Sequence, residues 1–447
     1  MRLAIPPKVS EILDILHSHG HEAYIVGGCV RDSVLARTPD DWDITTSAKP
    51  EEVKKLFRRT VDTGLQHGTV TVLLGDQSFE VTTYRLDGEY EDSRHPREVT
   101  FTSSLEEDLK RRDFTINAMA YNREEGLVDL FGGMSDLQKK MIRAVGAPEE
   151  RFSEDALRIM RAVRFSAQLG FTIERETYEA LKILSPTLVH ISAERIQVEL
   201  IKLLVSDHPE YLEAAWQTGI TRVVLPEFDA MMETPQNSPH HCYDVGRHTL
   251  ASLKEISPDK VLRLTMLLHD VGKPAVRITD ETGRDHFKGH EIVGEKMAEE
   301  ILRRLKLDND TISQVKRLIR WHDYRPVNVA KGVRRAVNRV GEDLFPLLLK
   351  VQVADTMAKS PDGRQRKLDY IYEIRELYEQ IVREQQCVSL RTLAVNGKDL
   401  IRMGMKPGKE IGEMLNFLLE KVLDEPDYNK KEYLMTLARR RLDSLSR

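Results

Sequence analysis

Hydrophobic residues are spaced differently in the first 150 residues and in the rest of the chain. Near the N-terminus they form short runs separated by glycines, prolines and polar turns, which is the spacing of β-strands. An amphipathic segment at residues 8–19 and a segment that begins at a proline add helices. The predicted strands are Ala23–Val26, Trp42–Thr45, Thr69–Leu74 and Phe79–Arg85, and the helix that begins at the proline is Pro50–Phe57.

After about residue 150, apolar residues recur every three or four positions, which is typical of amphipathic helices. Single glycines and prolines interrupt this pattern at intervals. The chain therefore predicts the α+β fold class, with a mixed head followed by an all-α body. The clearest predicted helices are Ala156–Leu169, Ala193–Val205, Val261–His269 and Glu291–Leu305.

The composition sets few limits on function. The 447 residues are 40% hydrophobic and 31% charged, which is ordinary for a protein with several packed domains. A net charge of −5 gives no overall sign of nucleic-acid binding. Two stretches are nevertheless basic: residues 303–339 hold eleven Lys or Arg against three Asp or Glu, and Lys430–Arg447 contains three consecutive arginines. Each stretch suits either a solvated helix face or contact with RNA.

The cysteines and the N-terminus indicate the compartment. Cys29, Cys242 and Cys387 are isolated, which is typical of a reducing environment. The N-terminus lacks the apolar core of a secretion signal, and no apolar run approaches the length of a membrane span. We predict a cytoplasmic protein without a membrane partner.

Two chemical features follow the first predicted strand. Gly27 and Gly28 let backbone N–H groups approach an anion at the start of a helix. Asp41 and Asp43 are two residues apart in a predicted strand, so their carboxylates project from one face and can hold divalent cations. A helix cap and a surface charge would be the plain interpretation of this pair, but the nearby glycines favour nucleotidyl transfer. Glu80, on another predicted strand, is either an accessory metal ligand or an ordinary exposed residue.

Later positions supply side chains suited to a nucleotide. Arg111 and Arg112 offer guanidinium forks for phosphates, and Asn117 could contact a sugar hydroxyl or a phosphate. Asp155 and Arg158 lie three residues apart and are predicted to share one helix face. They form either a weak surface salt bridge or a base-reading pair. Cytosine and adenine both present an amino donor beside a ring-nitrogen acceptor, so an Asp beside an Arg matches both and mismatches uracil and guanine.

Four motifs stand in a fixed order along the first part of the chain. They are Gly27–Asp32 with Asp41–Asp43, Arg111–Asp113 with Asn117, Asp129–Gly133, and Glu154–Arg158. In this order and spacing they resemble the class II tRNA nucleotidyltransferases, the family of the CCA-adding enzymes and bacterial poly(A) polymerases. The resemblance is dense over about residues 5–205 and resumes at Leu393–Leu400. It implies a polymerase-β-like head.

The resemblance also implies a reaction. The chain would add and repair the 3′-terminal CCA of tRNA without a template, using CTP, ATP and Mg²⁺, and would bind the tRNA acceptor arm through its basic helices. Asp41 and Asp43 would be catalytic and bind Mg²⁺, and Glu154 would orient Arg158. The polar segment Asp87–Arg97 falls where the family carries a flexible element linked to the switch from C to A. The implied nucleotide-binding residues are Gly27, Gly28, Arg31, Arg112, Asp113, Asn117, Glu154, Asp155, Arg158 and Arg161.

Histidines and aspartates recur along the body. Any one of them alone would be an ordinary helix residue, but their order resembles that of the HD phosphohydrolase domain. The resemblance implies a metal-dependent phosphodiesterase or phosphatase, acting for example on 2′,3′-cyclic phosphate ends, or a scaffold that has lost this activity. The implied metal ligands are His248, His269, Asp270 and Asp355, with His290 and His322 as ligands of a second divalent metal.

We predict four regions and weigh three alternatives. A poly(A) polymerase of the same family is the nearest alternative, although Gly64–Val70 is more similar to the CCA-adding pattern. An HD phosphohydrolase with a non-catalytic nucleotide- or RNA-binding head and a non-catalytic tRNA-binding protein are disfavoured, because neither needs both Asp41 and Asp43. The regions are a nucleotidyltransferase head (1–150), a base-selecting and RNA-binding helical neck (151–230), an HD-like helical domain (231–370) and a tRNA-binding helical tail (371–447).

Overall fold

The computed structural model describes residues 2–87, 99–237 and 243–445. It divides into two compact units, Met1–Asp229 and Ala230–Arg447. The predicted flexible segment lies outside the described residues except for Asp87, and so does Cys242. Within the described ranges, no helix is both long and apolar enough to cross a membrane. The cytoplasmic location stays a prediction.

A seven-stranded mixed sheet forms the centre of the first unit, in the order β3-β4-β5-β2-β1-β8-β9. Only β2 and β5 pair in parallel, and every other neighbouring pair in this sheet is antiparallel. The strands of the sheet are β1 Ala23–Val26, β2 Ile44–Thr46, β3 Thr60–Gly64, β4 Thr69–Leu74, β5 Gln77–Thr83, β8 Met119–Asn122 and β9 Gly126–Asp129. Two short pairs accompany it, β6 Arg85–Asp87 with β7 Val99–Phe101 and β10 Met141–Ile142 with β11 Thr172–Ile173.

The burial of each strand explains whether it could be predicted from the sequence. Strands β1, β2 and β8 lie in the middle of the sheet and every residue in them is buried. Strand β4 was predicted with its observed bounds because polar and apolar residues alternate at its start, although Thr71 is buried like Val70 and Val72. Strand β3 is an edge strand whose middle three residues are exposed, so it carries no apolar pattern and was not predicted.

Helices cover the sheet and continue beyond it in the first unit. Arg31 and Asn117, which lie outside the strands, are brought close by a short helix after β1 and a 3₁₀ turn before β8. The helices are α1 Pro7–Ser18, α2 Gly28–Val34, α3 Pro50–Leu56, α4 Leu105–Lys110, α5 Gly133–Gln138, α6 Pro148–Glu154, α7 Leu157–Leu169, α8 Arg175–Leu184, α9 Ala193–Leu204, α10 Leu212–Gln217 and α11 Ile220–Val224, while α12 Pro226–Met232 runs across the boundary between the units.

The second unit is built mainly from helices, and two apolar clusters are part of its core. One cluster centres on Val337, Phe345 and Ile371, and the other on Leu400 and Leu418. The helices are α13 Val245–Lys254, α14 Lys260–Leu268, α15 Lys273–Val276, α16 His290–Arg304, α17 Asn309–Trp321, α18 Ala330–Val340, α19 Phe345–Met357, α20 Arg364–Arg383, α21 Gly397–Arg402, α22 Lys409–Asp424 and α23 Lys431–Leu445.

The predicted α+β fold class, a sheet-bearing head with a helical body, is confirmed. A small departure is the antiparallel pair β12 Ile278–Thr279 with β13 Asp285–His286 inside the body. Asp280 closes this hairpin, because its carboxylate accepts hydrogen bonds from the backbone of Thr282 and Arg284. The finer division into four regions stays a prediction.

Candidate active site

The two candidate metal-binding aspartates lie just before β2 rather than within it. Strand β2 begins at Ile44, so the prediction that both belong to a strand is wrong in its boundary. The backbone remains locally extended because Val26 N donates to Asp43 O at 3.0 Å, next to the pairing of Ile25 with Ile44. The main chain of the central sheet therefore fixes the position of Asp43.

The electrostatic surroundings of Asp43 alter its protonation. Burial, with the like charge of Asp41, raises the pKa of Asp43 to about 6, although Arg112 opposes the shift. Glu80, exposed on β5, raises the same pKa slightly. Carboxylates that repel one another in a partly buried site are the donor set that a divalent cation neutralises. The residues therefore fit the metal that the sequence predicted there.

Gly27 forms the turn between β1 and α2. Its φ of +81° lies in the left-handed region, where a side chain would be strained. A Cβ atom at Gly27 would also lie 3.2 Å from Arg112 Nη1. The glycine therefore allows the backbone and an arginine to approach the same point.

A hydrogen-bonded network links two of the predicted motifs with Arg161 on α7. Arg31 Nη1 donates to Asn117 Oδ1 at 2.7 Å, and Asn117 Nδ2 donates to Asp113 Oδ1 at 3.1 Å. Arg161 Nε donates to Asp113 Oδ2 at 2.7 Å. Burial raises the pKa of Asp113, but Arg161 and Asn117 outweigh it and hold that pKa below its usual value. Asp113 therefore stays ionised and fixes the residues around it.

The base-reading candidates occupy a break between two helices. Asp155 has an extended backbone, with φ −138° and ψ 102°, and it lies between the end of α6 and the start of α7. The prediction that Asp155 and Arg158 share one helix face is therefore wrong. The break has a local cause: Asp155 Oδ1 accepts a hydrogen bond from Leu157 N at 3.0 Å, which caps the first turn of α7.

Each base-reading candidate is held by a different partner. Asp155 forms a bidentate salt bridge with Arg195, with the shorter contact 2.8 Å long. Arg158 Nη1 donates to Glu154 Oε2 at 2.7 Å, and its two terminal nitrogens also donate to the carbonyls of Arg151 and Arg111. Both side chains are therefore already fixed in position before a base binds.

One cleft gathers these side chains, with a volume of about 490 Å³. It is strongly basic, because seven arginines and Lys202 line it against four aspartates. Glu154 and Glu80 are not among its lining residues. The predicted residues that line it are Gly27, Gly28, Arg31, Asp41, Asp43, Arg112, Asp113, Asn117, Asp155, Arg158 and Arg161.

The cleft also contains residues that the predicted site left out. Arg195 and Lys202 come from α9, seven residues apart and therefore on one face of that helix. Phe165 lies below three arginines, and the guanidinium of Arg164 is 3.6 Å from the centre of its ring. The helical periodicity of residues 193–205 could have marked this face, but nothing local connects it with the earlier motifs.

The histidines and aspartates of the body come together in a second site. Asp270 is its centre, and it is 1% exposed. Its Oδ2 atom lies 3.2 Å from His269 Nε2 and 3.8 Å from His248 Nε2. Its Oδ1 atom lies 3.5 Å from His290 Nε2 and 3.8 Å from His322 Nε2. The one carboxylate therefore joins two groups, each of which could hold a metal ion.

Ring orientations in this second site suit metal binding. The Nε2 atoms of His290 and His322 are 3.1 Å apart, and those of His248 and His269 are 3.4 Å apart. A ring whose Nδ1 donates to a carbonyl presents an unprotonated Nε2 when neutral, which is the usual arrangement of metal-bound histidine. Three rings donate in this way, His269 to Met266 O at 2.8 Å, His290 to Phe287 O at 2.9 Å and His322 to Ile319 O at 2.7 Å.

Asp355 and two lysines complete the surroundings. Asp355 Oδ1 lies 3.0 Å from His248 Nε2, and its Oδ2 lies 2.6 Å from Lys359 Nζ. Lys273 Nζ lies 2.7 Å from Asp270 Oδ2. Burial raises the pKa of Asp270 and of Asp355, but the neighbouring histidines and lysines outweigh it and keep both pKa values low. Both carboxylates are therefore ionised at neutral pH.

Much of the basic stretch at residues 303–339 is used inside the unit. Arg334 donates to the carbonyls of Leu423 and Asp424, and Arg335 pairs with the Asp424 carboxylate at 2.7 Å. Lys316 pairs with Glu299. For these residues the structure favours packing between helices over a free RNA-binding face. In the last helix, Arg441 lies over the ring of Phe417 at 3.8 Å.

A mixed sheet with paired carboxylates beside an arginine-lined cleft defines a nucleotidyltransferase of the polymerase kind. Comparison with protein families agrees. Residues 23–143 match the Poly A polymerase head domain, residues 170–232 the probable RNA and SrmB-binding site of polymerase A, and residues 291–438 the tRNA nucleotidyltransferase domain 2.

Relatives that align over nearly the whole chain indicate which nucleotidyltransferase family this is. The CCA-adding enzyme of Bacillus velezensis is 39% identical over 428 residues, which cover 95% of each chain. That of Enterococcus faecalis is 35% identical and covers 97% of this chain and 95% of its own. The crystal structure of the Bacillus stearothermophilus CCA-adding enzyme in complex with CTP superposes with a TM-score of 0.71 at 29% identity, covering 98% of this chain and 100% of that one. The chain belongs to the CCA-adding enzyme family and is a tRNA nucleotidyltransferase.

Proposed function

We propose that this enzyme adds and repairs the 3′-terminal CCA of tRNA without a nucleic-acid template, using CTP and ATP. One observation carries the proposal: a single cleft holds the paired aspartates and both base-reading candidates. A polymerase that copies a template has no need of protein groups that read the incoming base. The protein itself must choose the nucleotide here, and Asp155 and Arg158 lie where it can.

Asp41 and Asp43 would hold Mg²⁺, as the family's use of divalent metal leads us to expect. When bound, the metal supplies charge that lowers the pKa of the primer hydroxyl and stabilises the charge developing on the phosphates. In the reaction, the 3′-oxygen of the RNA bonds to the α-phosphorus. The bond from that phosphorus to the β-phosphate oxygen breaks, pyrophosphate leaves, and the hydroxyl proton passes to solvent.

The arginines of the cleft would bind the triphosphate. Arg112 is the best placed, because it lies against the turn at Gly27. Its Nε atom is buried and donates to no acceptor among the described residues. A buried donor without a partner is costly, and a phosphate oxygen would satisfy it. Arg31 and Arg161 are held by Asn117 and Asp113, so the charge around the phosphates is fixed in advance.

Asp155 and Arg158 would read the Watson–Crick edge of the base. Asp155 forms a salt bridge with Arg195, but its carboxylate keeps lone pairs that can accept a hydrogen bond from the amino group of C or A. The hydrogen bonds of Arg158 within the described residues use three of its five N–H groups, which leaves donors for the ring nitrogen. Uracil and guanine would place an acceptor against Asp155 and a donor against Arg158, and both contacts would be lost.

Incubation of the protein with tRNA that lacks CCA, Mg²⁺ and each nucleotide singly or in pairs tests this proposal. Addition of two C residues and one A, followed by termination, is the expected result. A long A tail would identify a poly(A) polymerase instead. Addition of A only to tRNA that already ends in CC would identify an enzyme specialised for the last step.

We infer a second function for the body, metal-dependent hydrolysis of a phosphate ester. The observation that favours it is the pair of neighbouring Nε2 atoms of His290 and His322, which repel one another unless a cation lies between them. Here a water oxygen would bond to phosphorus, one P–O ester bond would break, and the released sugar oxygen would take a proton. A 2′,3′-cyclic phosphate is the first substrate to test.

Hydrolysis of a 2′,3′-cyclic nucleotide with Mn²⁺, Ni²⁺ or Mg²⁺ tests the second function directly. We expect turnover that a chelator abolishes. Absence of hydrolysis with all three metals, together with tight metal binding, would make the body site a metal-dependent scaffold.

A further inference from the structure

A cavity of about 740 Å³ adjoins the histidine–aspartate cluster in the second unit. Two residues of its wall contact the cluster, one on each side. Lys359, in its wall, contacts Asp355, which in turn contacts His248. Asp323, also in its wall, lies 3.4 Å from His290 Nε2. The two side chains Lys359 and Asp323 therefore lie between this cavity and the cluster and contact both.

The cavity is positively charged. Arg325, Lys359, Arg366 and Lys367 line it, whereas Asp323 is the one carboxylate among the residues that form its described wall. Lys359 is engaged with Asp355. Arg366 and Lys367 form neither a salt bridge nor a side-chain hydrogen bond with any residue in the part of the chain that the structure describes. Two cationic side chains are therefore available for a ligand.

The cations lie close enough to repel one another. Burial lowers the pKa of Lys367, and Lys359, Arg325 and Arg366 lower it further, with only Asp355 acting in the opposite direction. Such crowding of like charges is unfavourable in the free protein and is relieved by a bound anion. The position of Arg366 and Lys367 on adjacent residues of α20 aims both at the same cavity.

The remaining wall is not that of a simple anion site. Tyr370 lies one helical turn beyond Arg366 and offers an aromatic ring, fixed by a hydrogen bond from its hydroxyl to Pro326 O. Val327 is apolar and 73% exposed, and Asn328 adds an amide. A cavity of this size with an aromatic ring and an amide accommodates a nucleoside as well as a phosphate.

We propose that this cavity is the substrate pocket of the body site and that it binds a phosphorylated ribonucleoside, with the phosphate on Arg366 and Lys367 and the nucleoside along Tyr370. The assignment deepens the hydrolase function proposed above and rests on it for its catalytic meaning. The same chemistry is present in a free nucleotide and at the 3′ end of an RNA.

Equilibrium binding tests the pocket independently of catalysis. The full chain, in chelator so that no turnover occurs, is titrated with adenosine 3′-monophosphate and separately with a short RNA that ends in a 3′-phosphate. In the Lys367→Gln variant we expect binding about 10-fold weaker, the size of one charge-assisted hydrogen bond. Arg366→Gln should weaken binding by a similar factor. Any binding of the same ligands at the head site is equal in the parent and in both variants, so it does not affect the comparison.

Arg383→Gln is the matched control. Arg383 is exposed on the same helix, about 24 Å further along its axis from Lys367. Unchanged binding in both pocket variants, or an equal loss in the control, would overturn the assignment. An effect with the RNA alone identifies an RNA end as the ligand, and an effect with both identifies the shared phosphoribonucleoside.

Hydrolysis assays separate the two proposals. If the parent protein hydrolyses 2′,3′-cyclic phosphate and Lys367→Gln raises KM about 10-fold at unchanged kcat, both stand. Hydrolysis with a KM that is unchanged in Lys367→Gln overturns the pocket and keeps the hydrolase. Lys367-dependent binding without any hydrolysis keeps the pocket and overturns the hydrolase.

Discussion

The two candidate metal sites of this protein are built in opposite ways. In the head, Asp41 is exposed and opens into a cleft of about 490 Å³ in which most of the charge belongs to arginines. In the body, Asp270 and its four histidines are each no more than 6% exposed. The head has few ligands and many groups for the substrate, whereas the body cluster is rich in ligands, is buried, and lies beside a separate cavity.

The difference fits what each site is proposed to hold. A site that joins a polymer end to a triphosphate must admit two large molecules, so its metal ligands have to lie at a surface. A site for one small phosphate ester can surround its metals with protein and orient their ligands from behind. The carbonyls of Met266, Phe287 and Ile319 do this for three rings of the body cluster.

The largest expected effect comes from removing a ligand of the sparse site. Asp41→Ala should lower CCA addition by about 1,000-fold or more, because several kcal/mol of transition-state stabilisation are lost and each 1.36 kcal/mol is tenfold. Incorporation of labelled CTP into tRNA that lacks CCA measures it. Hydrolysis of 2′,3′-cyclic phosphate in the body should be unchanged. Equal loss of both activities would mean that the substitution unfolds the protein.

The reciprocal experiment removes the centre of the ligand-rich site. His269→Ala combined with Asp270→Ala should abolish metal retention by the body and hydrolysis of cyclic phosphate, while CCA addition persists. Metal content after dialysis and the two activities are the measurements. Loss of CCA addition at unchanged thermal stability would contradict the independence of the two sites.

A smaller effect is expected from the buried ion pair that stabilises the head. Asp113→Asn should lower the free energy of unfolding by about 2 kcal/mol, below the range for a fully buried pair because Arg161 is partly exposed. Chemical denaturation measures the change. The equally close but exposed pair Lys8–Asp76 offers a control, and Asp76→Asn should leave stability unaltered.

The same pair predicts a pH dependence. The pKa of Asp113 is lowered in the folded protein, so its contribution to stability is complete above the pKa of the unfolded chain, about 4, and is lost as the pH falls below that value. Denaturation midpoints from pH 7 to pH 3 should therefore fall less steeply in Asp113→Asn than in the parent. Parallel curves would contradict this account.

The smallest change in overall rate is expected at the base-reading pair. Asp155→Ala should lower discrimination against UTP by about 5- to 150-fold, the range of 1–3 kcal/mol for a base-edge contact, with little loss of CTP addition at saturation. Competition between CTP and UTP measures it. Arg195→Ala removes only the salt bridge that holds Asp155, so it should lower discrimination against UTP by a smaller factor. Unchanged rejection of UTP would refute the base-reading role.

Elements set by neighbouring residues could be predicted from the sequence, whereas features that depend on tertiary packing could not. Strand Thr69–Leu74 and the helix from Pro50 are decided by alternation and by a proline at the first turn, and both were predictable. Strand Thr60–Gly64 lies at the edge with no buried face, so its sequence carries no signal. The break at Asp155 depends on one side chain capping α7, which a periodic pattern does not reveal.

The candidate site divides in the same way. Gly27, Asp41, Asp43 and Asp155 belong to short motifs whose spacing has chemical meaning in itself. Arg195 and Phe165 reach the cleft only because α9 packs on α7, so no spacing connects them with those motifs. In the body, six histidines and aspartates were recognisable by their order, whereas the cationic cavity beside them is lined by α20, the C-terminal end of α19 with Lys359, and the segment after α17.

Asp270 has a consequence for how the body site can vary between relatives. Each histidine serves one half of the cluster, so its replacement would leave the other half with its ligands intact. Asp270 gives one oxygen to each half, so its replacement would dismantle both at once. Loss of this site in evolution could therefore pass through mononuclear intermediates at the histidines, but at Asp270 it would occur in a single step.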